Sequence, residues 1–290
     1  NYHPDSFLGP LIAVVLVAGA EKRWRLYWVA VVLALLVKED VAFVLVPIGI
    51  LVALRGDRRR GAMTALASIG VMALMLVVVM RSFTGIAFRN SWRIPFGGVG
   101  GFLSTLVRRP WDVVAHLVSD TRPRYLWQVF APLGFVAVLA PSALLVSLGV
   151  VGVNLLSTFW YQYQVQYHYS LVIVPCLAFA TIEALFRLKS EFRRSVVVFV
   201  ALCSVTCAYF WVPLPLAKVA YQSWSPSSPQ VTSTAELFAL IPPDASLAAY
   251  HPLTAQLARR QEIYSFPNPF QRSLYGPDVF AKGDRLSAAD

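Results

Sequence analysis

The sequence predicts an all-α fold: a polytopic transmembrane helix bundle of about eight spans, followed by a small α/β extracytoplasmic C-terminal segment. Three observations carry the expectation. The composition is too apolar for a water-facing surface, the apolar residues fall in runs of helical length, and basic residues collect in the short connections between runs. Of 290 residues, 57% are hydrophobic and 14% are charged, with a mean hydropathy of +0.60. Soluble domains carry about 25% charged residues. Lipid is the solvent that fits this chain.

The runs are Phe7–Ala20, Trp24–Val37, Val41–Leu54, Ala62–Met80, Tyr125–Ala140, Ala143–Phe159, Tyr169–Phe186 and Val196–Val212. A full crossing takes about 20 residues. The first three runs are shorter, so they either extend through flanking polar residues or are broken helices packed inside protein. Runs two and three are read as separate helices, because Lys38-Glu39-Asp40 at mid-bilayer would be costly.

The connections set the orientation. Glu21–Arg25 holds three basic residues, Arg55–Arg60 four and Arg187–Arg194 four. Alternating through eight spans puts all three on one side, which the positive-inside rule makes cytoplasmic. The net charge of +10 is thereby explained without nucleic acid as a partner. The other side receives His3 and Asp5, Lys38-Glu39-Asp40, the loop 81–124, the segment Trp160–His168 and the C-terminal tail. Residues 1–220 read as the transmembrane domain with outer loop 81–124. Residues 221–290 read as a small extracytoplasmic domain, entered through the linker Trp224-Ser225-Pro226-Ser227-Ser228-Pro229. Within it, Thr232 or Ser233 is expected to cap a helix ending near Leu240, Ser246–Tyr250 to form a short strand, and Leu253–Arg260 another helix. Cys176, Cys203 and Cys207 lie in apolar stretches without zinc-ligand spacing and read as small buried hydrophobes. The chain opens at Asn1 with no initiator Met or signal peptide, and an N-terminally truncated fragment is expected.

Chemistry is expected on the outer face. Lys38, Glu39 and Asp40 interrupt two apolar runs, and ionisable groups at such depth are functional candidates. Glu39 or Asp40 suits a general base or a cation ligand, and Lys38 a phosphate ligand. His3 and Asp5 flank Pro4 on the same face and suit an acidic constellation or a metal site with Glu39 and Asp40. In Trp160–Tyr169, Gln162, Gln164 and Gln166 alternate with aromatic residues before Tyr167, His168 and Tyr169. Interfacial aromatic belts account for the Tyr and Trp residues but not for the glutamines or the histidine. Amides and rings suit sugar hydroxyls and faces, and His168 a general base or phosphate ligand. Loop 81–124 carries Arg81, Arg89, Arg93, Arg108, Arg109, Arg122 and Arg124, against only Asp112 and Asp120. Guanidinium forks suit phosphate, and anionic lipid headgroups are the competing partner. No P-loop, GxSxG, GxGxxG or HExxH motif is present.

Several short motifs also occur together, in order: Tyr2-His3-Pro4-Asp5, Val37-Lys38-Glu39-Asp40, Asn154-Leu155-Leu156-Ser157, Tyr167-His168-Tyr169 followed by Pro175, Ile241-Pro242-Pro243-Asp244-Ala245-Ser246, and Arg260-Gln261-Glu262-Ile263-Tyr264-Ser265-Phe266-Pro267. This set resembles a bacterial membrane family known as domain of unknown function 2079. That family is distantly similar to the type-C glycosyltransferases, polytopic enzymes that take a sugar from a polyprenyl-phosphate carrier at the extracytoplasmic face. The resemblance implies a plasma-membrane, glycosyltransferase-like enzyme. Its catalytic residues would be Glu39, Asp40 and His168. Its substrate contacts would be His3, Asp5, Lys38, Gln164, Gln166, Tyr167, Tyr169, Arg89 and Arg93. The implied partners are the lipid bilayer, a lipid-linked sugar and a glycan acceptor, and a divalent cation is a compatible cofactor. In type-C enzymes a key acid lies in the first outer loop, and the corresponding region is expected to be absent from this chain. A transporter or lipid flippase and a non-enzymatic membrane scaffold are the alternatives.

Overall fold

The computed structural model describes residues 3–85, 87–88, 90–212, 217–218, 228–268 and 270. It divides into two compact units, Asn1–Val219 and Ala220–Asp290.

The first unit is helical. Helix α1 spans Leu8–Ala20, α2 Trp24–Val37 and α3 Ala42–Leu54. Helix α4, Arg58–Leu74, continues through a π turn at Met75–Val79 into α5, Met80–Thr84. The loop beyond folds into α6, Val99–Arg108, and α7, Pro110–Leu117; then come α8, Arg122–Phe130, α9, Pro141–Leu156, α10, Ile173–Arg187, and α11, Ser190–Trp211. Among the described residues, three helical stretches are long and apolar enough to cross a membrane: Arg58–Phe83, His168–Arg187 and Ser190–Trp211. The runs anticipated at 7–20, 24–37 and 41–54 form helices of only 13, 14 and 13 residues.

The fifth expected span does not form. Tyr125–Ala140 breaks after α8 into 3₁₀ turns at Ala131–Leu133 and Val136–Leu139. Gly134 and Phe135 between them both take left-handed backbone, with φ of 58° and 59°. Gly134 is required there twice over, since a Cβ would run into the Phe199 ring of α11.

α3 organises the core. It packs on α4 and α9, while α1 packs on α2 and α10. Backbones at the α3–α4 crossing touch because Gly49 and Gly61 face each other; a Cβ on Gly49 would lie 2.6 Å from the Gly61 carbonyl oxygen. Small residues permit such close approach without a wide hydrophobic interface. Buried residues concentrate in α1, α2, α3, α9 and α10, whereas α11 buries none among its 22 residues.

The connections fall at two ends. Pro4–Phe7, Glu39–Val41 and His168–Ser170 are 3₁₀ turns at the N-terminal ends of α1, α3 and α10. The basic connections meet at the opposite end. There Arg60 lies over the Trp24 ring at 4.4 Å, and Arg55 pairs with Glu183 of α10 at 3.1 Å.

In the second unit, α12 spans Pro229–Leu240, starting a turn earlier than the expected Thr232 or Ser233 cap, with Pro229 in its first turn. Strand β1, Leu247–Ala249, pairs in parallel with β2, Ile263–Ser265, placing Leu247 opposite Ile263. Between them lie α13, His251–Thr254, and a 3₁₀ turn at Ala255–Leu257. Residues 224–227 of the expected linker lie outside the described residues.

Candidate functional site

Three 3₁₀ turns bring distant charged residues to one point. His3 precedes Pro4, whose fixed φ opens the first turn. Lys38 takes extended backbone (φ −164°, ψ 146°), which ends α2 before Glu39 and Asp40 open the second turn. His168 opens the third.

Asp5 is at the centre, 5% exposed. Its Oδ2 lies 3.2 Å from Lys38 Nζ, 3.4 Å from His168 Nε2 and 3.4 Å from His3 Nδ1. Its Oδ1 is buried with no hydrogen-bond partner among the described residues. Lys38 also pairs with Asp40 at 2.8 Å. The His3 and His168 rings stack at 3.6 Å, 18° from parallel.

Burial works to lower the Lys38 pKa, but Asp40 and Asp5 outweigh it and hold the ammonium above its usual range. Loss of hydration raises the Asp40 carboxyl above the usual carboxylate range, with Lys38 opposing. A carboxylate with a raised pKa is a better proton acceptor when ionised. Glu39 shares the turn, half-buried, and its side chain makes no hydrogen bond or ion pair among the described residues.

An aromatic wall adjoins the cluster. Tyr169 contacts His168, with ring centroids 4.1 Å apart. Lys38 Nζ stands 5.8 Å from the Tyr169 centroid. Phe159 lies edge-on to Tyr169 at 6.2 Å, and Arg93 covers Phe159 at 4.5 Å. The Arg93 Nε and the neighbouring Trp92 indole Nε1 are buried donors without a hydrogen-bond partner among the described residues. Thr158 fixes this stretch, its N–H donating to the Arg93 carbonyl at 2.8 Å and its hydroxyl to the Trp92 carbonyl at 3.0 Å.

The other sequence candidates lie outside this contact set. Tyr167 packs against Trp160 and Tyr161. Gln164 donates to the Thr121 hydroxyl at 2.8 Å, and Gln166 is exposed. Arg89 lies outside the described residues. Trp92 and Phe159 complete the wall but were not anticipated. The signal for them was proximity to Arg93 and to the aromatic run.

Not every loop arginine is free for an anion. Arg122 is 1% exposed and is spent on the end of α9. Its Nε donates to the Leu155 carbonyl at 2.7 Å and its Nη2 to the Ser157 carbonyl at 2.8 Å. Its Nη1 pairs with Asp120 at 2.6 Å. Arg109 pairs with Asp112 at 3.3 Å. Helix ends leave carbonyls without partners, and a buried end needs donors of this kind.

Deeper, Asn154 holds the third turn in place. Its Nδ2 donates to the Tyr125 hydroxyl at 2.8 Å and to the Tyr169 carbonyl at 3.2 Å. Tyr125 in turn contacts Ser170 Oγ at 3.1 Å.

No curated protein and no solved structure matches the chain. One family's sequence model does, over residues 1–281, and its description is "Predicted membrane protein (DUF2079)". With nearly the whole chain matched, and with apolar helices of crossing length, the protein belongs to the membrane-protein family of domain of unknown function 2079.

Proposed function

We propose that the protein is a multi-pass plasma-membrane enzyme of glycosyltransferase-like type. It moves a sugar from a polyprenyl-phosphate donor to a glycan acceptor at the extracytoplasmic face. The observation carrying this reading is the one-ended ionic cluster of Asp5, Lys38, Asp40 and His168 beside the Arg93–Phe159–Tyr169 wall. Basic connections occupy the other end, which the positive-inside rule makes cytoplasmic.

In the transfer, the acceptor hydroxyl oxygen attacks the anomeric carbon and the carbon–oxygen bond to the carrier phosphate breaks. The hydroxyl proton passes to the Asp40 or Glu39 carboxylate, and the carrier phosphate leaves as an anion. Lys38, Arg93 and His168 supply cationic or hydrogen-bonding groups to that phosphate. Tyr169 offers a face to the sugar, and Gln164, Gln166 and Tyr167 line the approach.

A transporter would need polar groups unspent in mid-helix. Ser68, Ser147 and Thr181 instead donate to carbonyls of their own helices, and Thr64 meets Tyr27 at 2.8 Å. A scaffold displaying residues 221–290 gives no reason for buried Asp5. The test is sugar transfer from lipid-linked donors in membranes containing the full-length protein, comparing Glu39→Gln, Asp40→Asn and His168→Gln. Loss of the proton acceptor should slow transfer about 10²–10⁴-fold. Normal turnover in all three variants removes the role assignment. Sugar-lipid translocation in proteoliposomes without covalent product favours the flippase.

A further inference from the structure

We infer that His3, Asp5 and His168 form a binding site for a divalent transition-metal ion of the zinc class. The inference stands on its own geometry and does not rest on the transfer reaction proposed above. One potential ligand atom from each residue lies within 4.8 Å of the others. Around an ion with bonds of about 2.1 Å, tetrahedral ligand atoms sit about 3.4 Å apart. Asp5 Oδ2 is 3.4 Å from both His3 Nδ1 and His168 Nε2.

Two further observations call for a cation. The Asp5 N–H points at His3 Nδ1 from 3.4 Å, which makes that nitrogen an acceptor carrying its lone pair. The same nitrogen lies 3.4 Å from Asp5 Oδ2, so in the neutral imidazole two acceptors face each other. The second observation is Asp5 Oδ1, buried without a hydrogen-bond partner among the described residues in a side chain only 7% exposed. A buried carboxylate oxygen without a donor is costly, and positive charge held at the neighbouring Oδ2 offsets that cost.

Charge and donor type narrow the ligand. Among the described residues, Lys38 is the ammonium bonded to Asp5, and Asp40 pairs with it at 2.8 Å. With Glu39 on the same turn, three carboxylates against Lys38 and the nearby Arg93 leave the group net negative when the imidazoles are neutral. Two imidazoles select a transition ion over Mg²⁺ or Ca²⁺, which prefer all-oxygen shells. Lys38 also orients the Asp5 carboxylate, as outer-shell partners do at metal sites. The stacked rings must open around the ion, and His3, 41% exposed, has room to turn. Three protein ligands leave a position open to water or a phosphate oxygen.

The test uses the purified full-length protein in detergent, stripped with chelator, loaded with Zn²⁺ or Co²⁺ and desalted. The expected result is one ion retained per chain and a tetrahedral Co²⁺ absorption band. His3→Gln, Asp5→Asn and His168→Gln should each weaken Zn²⁺ binding more than about 100-fold. His116→Gln, which changes a histidine outside the cluster, should retain it. Retention of no ion by the wild type, or equal retention by the ligand variants, overturns the inference. Should a ligand variant aggregate, the wild-type Co²⁺ spectrum still decides: a spectrum like that of aqueous Co²⁺ overturns it.

Discussion

Arg122→Met tests the buried clamp at the end of α9. The guanidinium makes two charge-assisted hydrogen bonds to buried carbonyls, those of Leu155 and Ser157. Each is worth about 1.5–3 kcal/mol. It also covers the Tyr163 ring at 4.2 Å, a contact worth about 1 kcal/mol. The Asp120 partner has a 63% exposed side chain, so that pair adds little. Methionine fills part of the space, and the cavity term is small. The expected loss is about 4 kcal/mol, in line with the cost of removing one partner from a buried charged network. For a unit of this size, about 2–4 °C per kcal/mol corresponds to a melting temperature lower by about 10 °C. The assay is thermal unfolding of the detergent-purified protein, followed by intrinsic fluorescence and by the monomer fraction in size exclusion. Arg122→Lys, with a charge but no fork, should recover part of the loss. A shift of less than about 2 °C for Arg122→Met would refute the clamp, because by this arithmetic its two carbonyl bonds alone exceed that.

Other variants probe other parts of the fold. Gly61→Ala drives a Cβ into the Gly49 carbonyl oxygen and should cost about 1–3 kcal/mol in the same melt, whereas Gly70→Ala, with open space around it, should be neutral or gain up to about 1 kcal/mol. Asn154→Leu deprives the Tyr169 carbonyl of a donor; about 1–3 kcal/mol should be lost, and the Tyr169 ring beside Lys38 should shift, visible as altered transfer or metal binding. His116 has a pKa lowered by burial and by the Arg122 charge, although its Nε2–H donates to the Leu156 carbonyl at 2.9 Å. The unfolded chain therefore binds the proton more readily. This contribution is present above pH 6.5, the ordinary histidine value, and is lost as pH falls below it. Melting temperature should decline less between pH 7.5 and about pH 5.5 in His116→Gln than in the wild type, and equal declines would exclude the effect.

The sequence disclosed composition, helix positions and the residues worth testing, because each has a local signal. An apolar run bounded by Lys38-Glu39-Asp40 has to stop there, and α2 ends at Val37. His3, Asp5 and His168 stood out as polar groups at the edges of apolar runs. Their pairing did not, since Asp5 and His168 meet only through the packing of α1 on α10. The centre of the cluster was equally hidden. Glu39 and Asp40 looked stronger in sequence, yet buried Asp5 makes the contacts to both histidines. The break in Tyr125–Ala140 was masked by hydropathy, which does not register the left-handed backbone at Phe135. The arginine-rich loop misled differently: charge density cannot distinguish an arginine awaiting a phosphate from Arg122, consumed by helix carbonyls.

Helix length bears on how a substrate would meet the cluster. A 13-residue helix such as α1 or α3 rises about 20 Å, against about 30 Å of hydrocarbon in a bilayer. Of the three stretches long enough to cross, Arg58–Phe83 and Ser190–Trp211 keep little or nothing buried and are suited to face lipid, while His168–Arg187 is nearly half buried. The short helices carry most of the core and need not reach the headgroups, because protein can satisfy their ends. Sharing the roughly 10 Å shortfall between two ends recesses each by about 5 Å. Asp5, Lys38 and His168, in the turns beyond those helix ends, would then lie at the edge of the hydrocarbon beneath the headgroups, where a water-soluble substrate reaches them poorly. A phosphate carried on a polyprenyl chain is held at that depth by its own tail. The recess therefore favours a lipid-borne donor over a soluble one. Transfer from a short-chain, water-soluble analogue of the donor should accordingly be much slower than from the full-length lipid, and equal rates would argue against the recess.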